Sequence, residues 1–184
     1  MKKYTQEEFD QFPVNEYGYK QCPTGDYTLI KSFHERCSFG EWCSFGDLCS
    51  FGESCSFGDH CVFGECCSFG ECCSFGERSS FSEHCSFSEC CSFGERCRFR
   101  ECCKCEFGKF KAMYTAGGFG SVGRTTYFFH IVDDTIRVRC GCFAGTIDEW
   151  ENQVKKTHGN SVLAKSYLLI GKAVRAICEK PEEE

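Results

Sequence analysis

The chain repeats one six-residue unit without insertion from Cys37 to Cys102, and no other feature of its 184 residues constrains the fold as tightly. The units read CSFGEW, CSFGDL, CSFGES, CSFGDH, CVFGEC, CSFGEC, CSFGER, SSFSEH, CSFSEC, CSFGER and CRFREC. Ser32-Phe33 before His34-Glu35 is a degenerate earlier copy, and Cys103-Lys104-Cys105 begins another before the register is lost near Phe107-Gly108. Alternate side chains of a strand point to opposite faces, so Cys37 and Phe39 face inward and Ser38 outward. Gly40 then suits a tight corner, because a residue without Cβ accepts unusual dihedrals. Glu41 and Trp42 lie outside, on that corner. A six-residue unit cannot bury its own apolar side, whereas stacked units bury it against each other.

Begun at phenylalanine, the unit Phe-Gly-Glu-x-Cys-Ser resembles the hexapeptide-repeat family over residues 31–106. The resemblance implies a mainly β chain: a left-handed parallel β-helix, triangular in section, with three units to a coil and about four coils. The chain departs from that family in one slot, which is aliphatic there and phenylalanine here. Three rings therefore meet near the axis of every coil, and the small cysteine offsets their bulk. Three units per coil align variable slots every 18 residues, giving columns Trp42, His60, Arg78, Arg96; Leu48, Cys66, His84, Cys102; and Ser54, Cys72, Cys90. The acids align too, as Glu41, Asp59, Glu77, Glu95 and as Asp47, Glu65, Glu83, Glu101. These acidic columns are the candidate binding residues. Like charges stack here only because water solvates them, so a plain solubilising surface is the competing reading.

Twenty cysteines would fit a secreted disulfide scaffold. The opening MKKYTQEEFDQF has no apolar run of the kind a secretory signal needs. A residue recurring in one slot fills one environment, and reduced cysteine is a small, readily buried hydrophobe. The expectation is a cytoplasmic chain with reduced core thiols. Cys66, His84 and Cys102 are weak zinc candidates: their residue types suit the metal, but a linear column does not make a tetrahedron. No metal or cofactor is expected. The net charge of -6 argues against general nucleic-acid binding, and no apolar run approaches the roughly 18 residues that span a membrane.

Beyond the repeat, residues 109–123 read as a glycine-rich linker. It contains Gly118-x-Gly120-x-x-Gly123, a dinucleotide fingerprint only if a helix follows, and TTYFFHIV follows instead. Thr125–Val132 and Thr135–Phe143 read as two strands joined at Asp133-Asp134. Thr146-Ile147-Asp148-Glu149 is a capping box opening a helix to about Thr157, and a second helix covers about Ser161–Cys178. Cys140-Gly141-Cys142 is too short a pair for a zinc knuckle and reads as strand packing. The expected organisation is an N-terminal cap (1–30), the repeat (31–108), the linker, and a ββαα domain (124–184) that ends in a solvated acidic tail. The segment RTTYFFHIVDDTIRVRCGCFAGTIDEW resembles the C-terminal region of uncharacterised bacteriophage and gut-bacterial proteins, which implies a phage setting and no particular activity.

Together these features favour a non-enzymatic binding or scaffold protein that acts on a host component through its acidic faces or its C-terminal domain. The family resemblance supplies an alternative, a hexapeptide-type acyltransferase using His60, His84 or His130. A third reading is a thiol or metal store using Cys66, Cys72, Cys90 and Cys102. Open β-helix ends invite pairing, so a homo-oligomer, dimer or trimer, is expected, with the protein or small-ligand partner unspecified.

Overall fold

The computed structural model describes residues 1–100, 103–119 and 124–179. The chain forms two compact units, Met1–Gly108 and Lys109–Glu184. The first is a parallel β-solenoid of about five turns. Each repeat contributes a two-residue strand that pairs in parallel with its equivalent 18 residues away, as Ser38↔Ser56, Ser44↔Val62 and Ser50↔Ser68 show. One wall runs Lys20–Cys22, Cys37–Phe39, Ser56–Phe57, Ser74–Phe75 and Ser92–Phe93. The second runs from Ser44–Phe45 through Val62–Phe63 and Ser80–Phe81 to Arg98–Phe99. The third joins Ser32–Phe33, Ser50–Phe51, Ser68–Phe69, Ser86–Phe87 and Lys104–Cys105. Three units per coil are therefore observed. The count exceeds the expected four because Lys20–Cys22 already pairs with Cys37–Phe39, so the first coil begins inside the segment read as a cap.

The rings avoid crowding by adopting two geometries at once. Along the axis they stack: Phe63 lies 4.9 Å from both Phe45 and Phe81, at 4° and 3° between planes. Around the axis they meet edge to face: Phe63 lies 5.0 Å from Phe57 and from Phe69, at 89° in both cases. Each such pair adds about 0.5–1.5 kcal/mol beyond area burial. The coil spacing of a parallel sheet, about 4.8 Å, matches the ring stacking distance, so backbone ladder and ring ladder share one period.

Two slots work differently from the sequence expectation. The left-handed corner conformation is taken by the variable residue, not by the glycine: φ is 59° at Trp42, 60° at Leu48 and 59° at His60. Glycine is chosen for closeness. A Cβ at Gly64 would stand 2.3 Å from Asp47 Oδ1 and 2.5 Å from Asp47 N, one coil back. Ser82 and Ser88 hold the same slot in the next coil while keeping ladder bonds of 3.1 and 3.0 Å to Phe63 and Phe69. Cysteine, in turn, is a donor as well as a filler. Cys61 Sγ donates to Gly40 O at 3.5 Å, Cys67 to Gly46 O at 3.3 Å and Cys73 to Gly52 O at 3.4 Å. Where serine replaces cysteine, the fully buried Ser79 hydroxyl donates to Gly76 O at 3.1 Å. The slot thus demands a small side chain with a proton to give.

Aromatic packing continues above the repeat. Tyr27 stacks on Phe45 at 5.4 Å, Tyr4 stacks on Tyr27 at 5.1 Å, and Phe9 stands edge-on to Phe33 at 5.2 Å. A helical turn, Gln6–Asp10, starts with a capping box between Thr5 and Glu8. Lys20 Nζ donates to the carbonyls of Phe9 and Asp10 at 3.2 and 3.0 Å, closing its far end.

The second unit is an antiparallel meander carrying two helices. Residues expected to form a linker are a strand, Gly108–Phe119, paired with Arg124–Ile131. The alternation of Phe110, Ala112, Tyr114 and Ala116 carries that strand into its glycines, and Gly120 and Gly123 lie outside the described residues. The second expected strand is two, Ile136–Cys140 and Phe143–Thr146. Gly141, at φ 61°, makes a two-residue hairpin turn between Cys140 and Phe143. Helix Ile147–His158 is capped by the Thr146/Glu149 box and stopped at Gly159, and helix Val162–Cys178 starts from Ser161, as expected. Their apolar faces meet Phe128 and Val138: Trp150 is edge-on to Phe128 at 5.2 Å and to Tyr167 at 5.7 Å. Arg175 fastens the helices through Glu151 at 3.2 Å and Asp148 at 2.6 Å. No helix among the described residues is long and apolar enough to cross a membrane.

The buried thiols Cys37, Cys55 and Cys73 of one wall make the solenoid sensitive to alkali, whereas hydrogen bonds from neighbouring thiols lower Cys43, Cys67 and Cys103. Hydrogen bonds between neighbouring thiols, with burial, push Cys37, Cys55 and Cys73 from 9.0 up to about 12. Below pH 9 the folded and unfolded chains both keep these protons. Above it the unfolded chain releases protons that the folded wall retains, so each thiol removes about 1.4 kcal/mol of stability per pH unit up to its folded pKa. Denaturant midpoints are therefore expected to be flat from pH 7 to 8 and to fall from pH 9 to 11, less steeply in Cys73→Ser. A midpoint that does not move across pH 9 to 11 contradicts protonated core thiols.

Candidate functional site

The solenoid corners hold most of what varies from unit to unit. The variable residue's N–H is spent on the next coil: Trp42 N donates to Asp59 O, His60 N to Glu77 O and Arg78 N to Glu95 O, each at 2.8 Å. Its side chain therefore projects outward beside the acid that precedes it. Glu41, Glu77 and Glu95 are exposed and Asp59 half-buried in the first acidic column. In the second, Asp47 and Glu65 are exposed and Glu83 half-buried, while Glu101 lies outside the described residues.

Aspartate and glutamate do different work in this slot. Asp47 Oδ1 accepts the Glu65 N–H at 2.8 Å, and Asp59 Oδ1 accepts the Glu77 N–H at 2.7 Å. The shorter side chain folds back on the wall and ties successive coils. The interleaved glutamates are left to carry the outward charge. The sequence showed the D/E alternation at 47, 53 and 59, but its meaning depends on knowing that residue i+18 sits directly above.

Corner side chains of successive coils lie on top of one another. The Trp42 and His60 rings stack at 3.9 Å and 4° between planes. Cys66 and His84 share the neighbouring column, both exposed, and Cys102 lies outside the described residues. Among the described residues no three His, Cys, Asp or Glu side chains converge as a metal site. The remaining histidine considered for acyl transfer, His130, is buried in the second unit, with Nε2 3.2 Å from Asp134 Oδ1. Lys111 also binds that carboxylate and, as the largest influence, holds it below the usual carboxylate range.

The second unit carries a cleft of about 550 Å³ lined by Asp134, Thr135, Thr146, Asp148, Arg175 and Cys178. Three of its charged residues are held in ion pairs. Arg175 is bound to Asp148 and Glu151, Asp134 to Lys111 and His130. Burial raises the Cys178 thiol. The cleft was not visible in the sequence, because its walls come from the 133–135 hairpin and from opposite ends of two helices.

Fold and site define this chain as a parallel β-solenoid with an acid-cornered surface, joined to a two-helix α+β unit. No family model, no curated protein and no solved structure matches it.

The back-folded aspartates are testable. Asp47→Ala is expected to cost about 1 kcal/mol in denaturant unfolding by removing the acceptor of the Glu65 amide, with Asp47→Asn near wild type. Equal stability of the alanine variant and wild type contradicts a tie between coils.

Proposed function

We propose that the chain is a non-enzymatic binding protein whose solenoid presents columns of carboxylate to a basic surface on a protein partner. One observation carries this reading. The wall spends its backbone and its core thiols on itself, and exposed glutamate carboxylates remain outward: Glu77 and Glu95 one coil apart, Glu41 two coils before Glu77, and Glu65 in the neighbouring column. Ranks at about 4.8 Å give a fixed, multivalent anionic surface that costs little ordering on binding. Complementary charge of this kind speeds encounter and selects partners. The unit Phe-Gly-Glu-x-Cys-Ser supports membership of the left-handed hexapeptide class. The RCGCFAGT segment supports a phage-encoded protein acting on a host component in the bacterial cytoplasm, where a homo-oligomer, dimer or trimer, would multiply the ranks.

The test uses the full chain and a variant with Glu41, Glu77 and Glu95 changed to Gln. Both are immobilised and exposed to host lysate, with retained proteins eluted in rising salt and far-UV circular dichroism confirming the fold. The reading expects a basic protein retained by wild type, released by moderate salt and lost from the variant. Retention that is unaffected by the three substitutions, or no specific retention at all, contradicts it.

A further inference from the structure

The two helices of the second unit differ on the side they turn to water. Every exposed residue of Ile147–His158 is polar or charged. Val162–Cys178 instead leaves Val162 80%, Leu169 67% and Ile177 60% exposed, with Ala173 and Ala176 exposed beside them. Its place in the core is already taken by the opposite side, where Ala164, Tyr167, Gly171 and Val174 are buried. Val162, Leu169, Ala173 and Ala176 follow one another at 7, 4 and 3 residues, the spacing of a helix-pairing seam. Ser166 holds the remaining place in that row and donates its hydroxyl to Val162 O at 3.0 Å. A helix apolar on both sides calls for a neighbour on each.

We propose that this outer seam docks a second copy of the chain, with the two Val162–Cys178 helices antiparallel about Ala173. Charge selects both the occupant and the direction. Lys165, Lys172 and Glu179 are exposed and stand seven residues apart along one flank of the seam. The ion pairs of this unit run through Asp134 and Arg175, and none among the described residues takes in those three. Antiparallel pairing about a two-fold axis lays this flank against the same flank of the partner. Reversed, the column is its own complement at both ends. Lys165 lies about 12 Å before Ala173 and Glu179 about 9 Å after it, so Lys165 meets Glu179 of the partner subunit within a lysine's reach. Lys172 faces its own copy near the axis, as the one like-charged pair. Leu169 meets Ile177 of the partner subunit, and alanine at the crossing lets the backbones approach. Parallel pairing would instead set the charged flank against the apolar row of Leu163, Ile170 and Ile177. The helix has 17 residues, about 25 Å, so the interface is small and the dimer reversible. This gives the homo-oligomer proposed above its surface and does not depend on the carboxylate ranks.

The test is sedimentation equilibrium of the full chain in reductant across micromolar concentrations, with circular dichroism showing each variant folded. Wild type is expected to pass reversibly from monomer to dimer, and Leu169→Glu to stay monomeric. Lys165→Glu and Glu179→Lys are each expected to raise the dissociation constant about tenfold, because both symmetric contacts turn repulsive. The double variant Lys165→Glu/Glu179→Lys is expected to return to the wild-type value, and Lys172→Ala to pair more tightly than wild type. A wild type that stays monomeric overturns the proposal, and so does a dimer that Leu169→Glu leaves intact. A double variant no tighter than its two parents overturns the antiparallel pairing. All these variants keep Glu41, Glu77 and Glu95, so failure here and failure of the carboxylate reading are separately visible.

Discussion

The agreement between the stacking distance of phenylalanine rings and the spacing of parallel strands is the constraint on which the solenoid depends. A six-residue unit holds one ring, one thiol and two ladder residues, too little to fold alone. Stacked, the ring of Phe57 meets Phe39 and Phe75 face to face at 5.1 and 5.0 Å, and Phe63 edge to face at 5.0 Å. Aliphatic side chains tolerate many packings. Rings restricted to faces along the axis and edges around it fix the rotation of each coil on the next, and so fix which corner residue lies above which. The i, i+18 alignment of Asp47 with Glu65 and of Cys72 with Cys90 is a consequence.

The thiols of the strand slot and the carboxyls of the corners divide between inside and outside on the same principle. In the wall, cysteine answers corner carbonyls that the ladder leaves open, and Ser79 in the same role shows that the donated proton matters alongside the size. On the corners the variable residue's amide is bonded to the next coil and Asp47 and Asp59 accept the amides of Glu65 and Glu77, so the glutamates and variable side chains there are left to face water. Eleven non-glycine corners hold left-handed dihedrals, Arg36 to Arg96. A conformation that ordinarily costs about 1–2 kcal/mol per residue is held by the ladder on both sides of it.

Much of this was legible in the sequence. The repeat declared its strand, its inward pair and its threefold coil, and Thr146-x-x-Glu149 and Ser161 declared both helix starts. Three misreadings share one cause. Gly40 was read for its dihedral freedom, Lys20–Cys22 as part of the 1–30 cap, and residues 109–119 as part of the 109–123 linker. In each the deciding fact is a neighbour distant in sequence: the backbone of the adjacent coil, Cys37–Phe39, and Arg124–Ile131. Local composition carries no trace of such neighbours. The 18-residue alignment behind the candidate columns was legible in the repeat, whereas the inward turn of Asp47 and Asp59 and the ion pairs at the 550 Å³ cleft required coordinates.

Residue-resolved amide hydrogen exchange tests the solenoid most directly. Three amides per unit enter ladder bonds, as in Arg78 to Glu95 O, Ser80 to Cys61 O and Ser82 to Phe63 O. Protection is therefore predicted at every second residue from about Trp42 to Arg98, in the corner, serine and glycine slots, and strongest in the central coils. Fast exchange throughout that span, or protection that runs unbroken through every slot as in a helix, contradicts the stacked-ring solenoid.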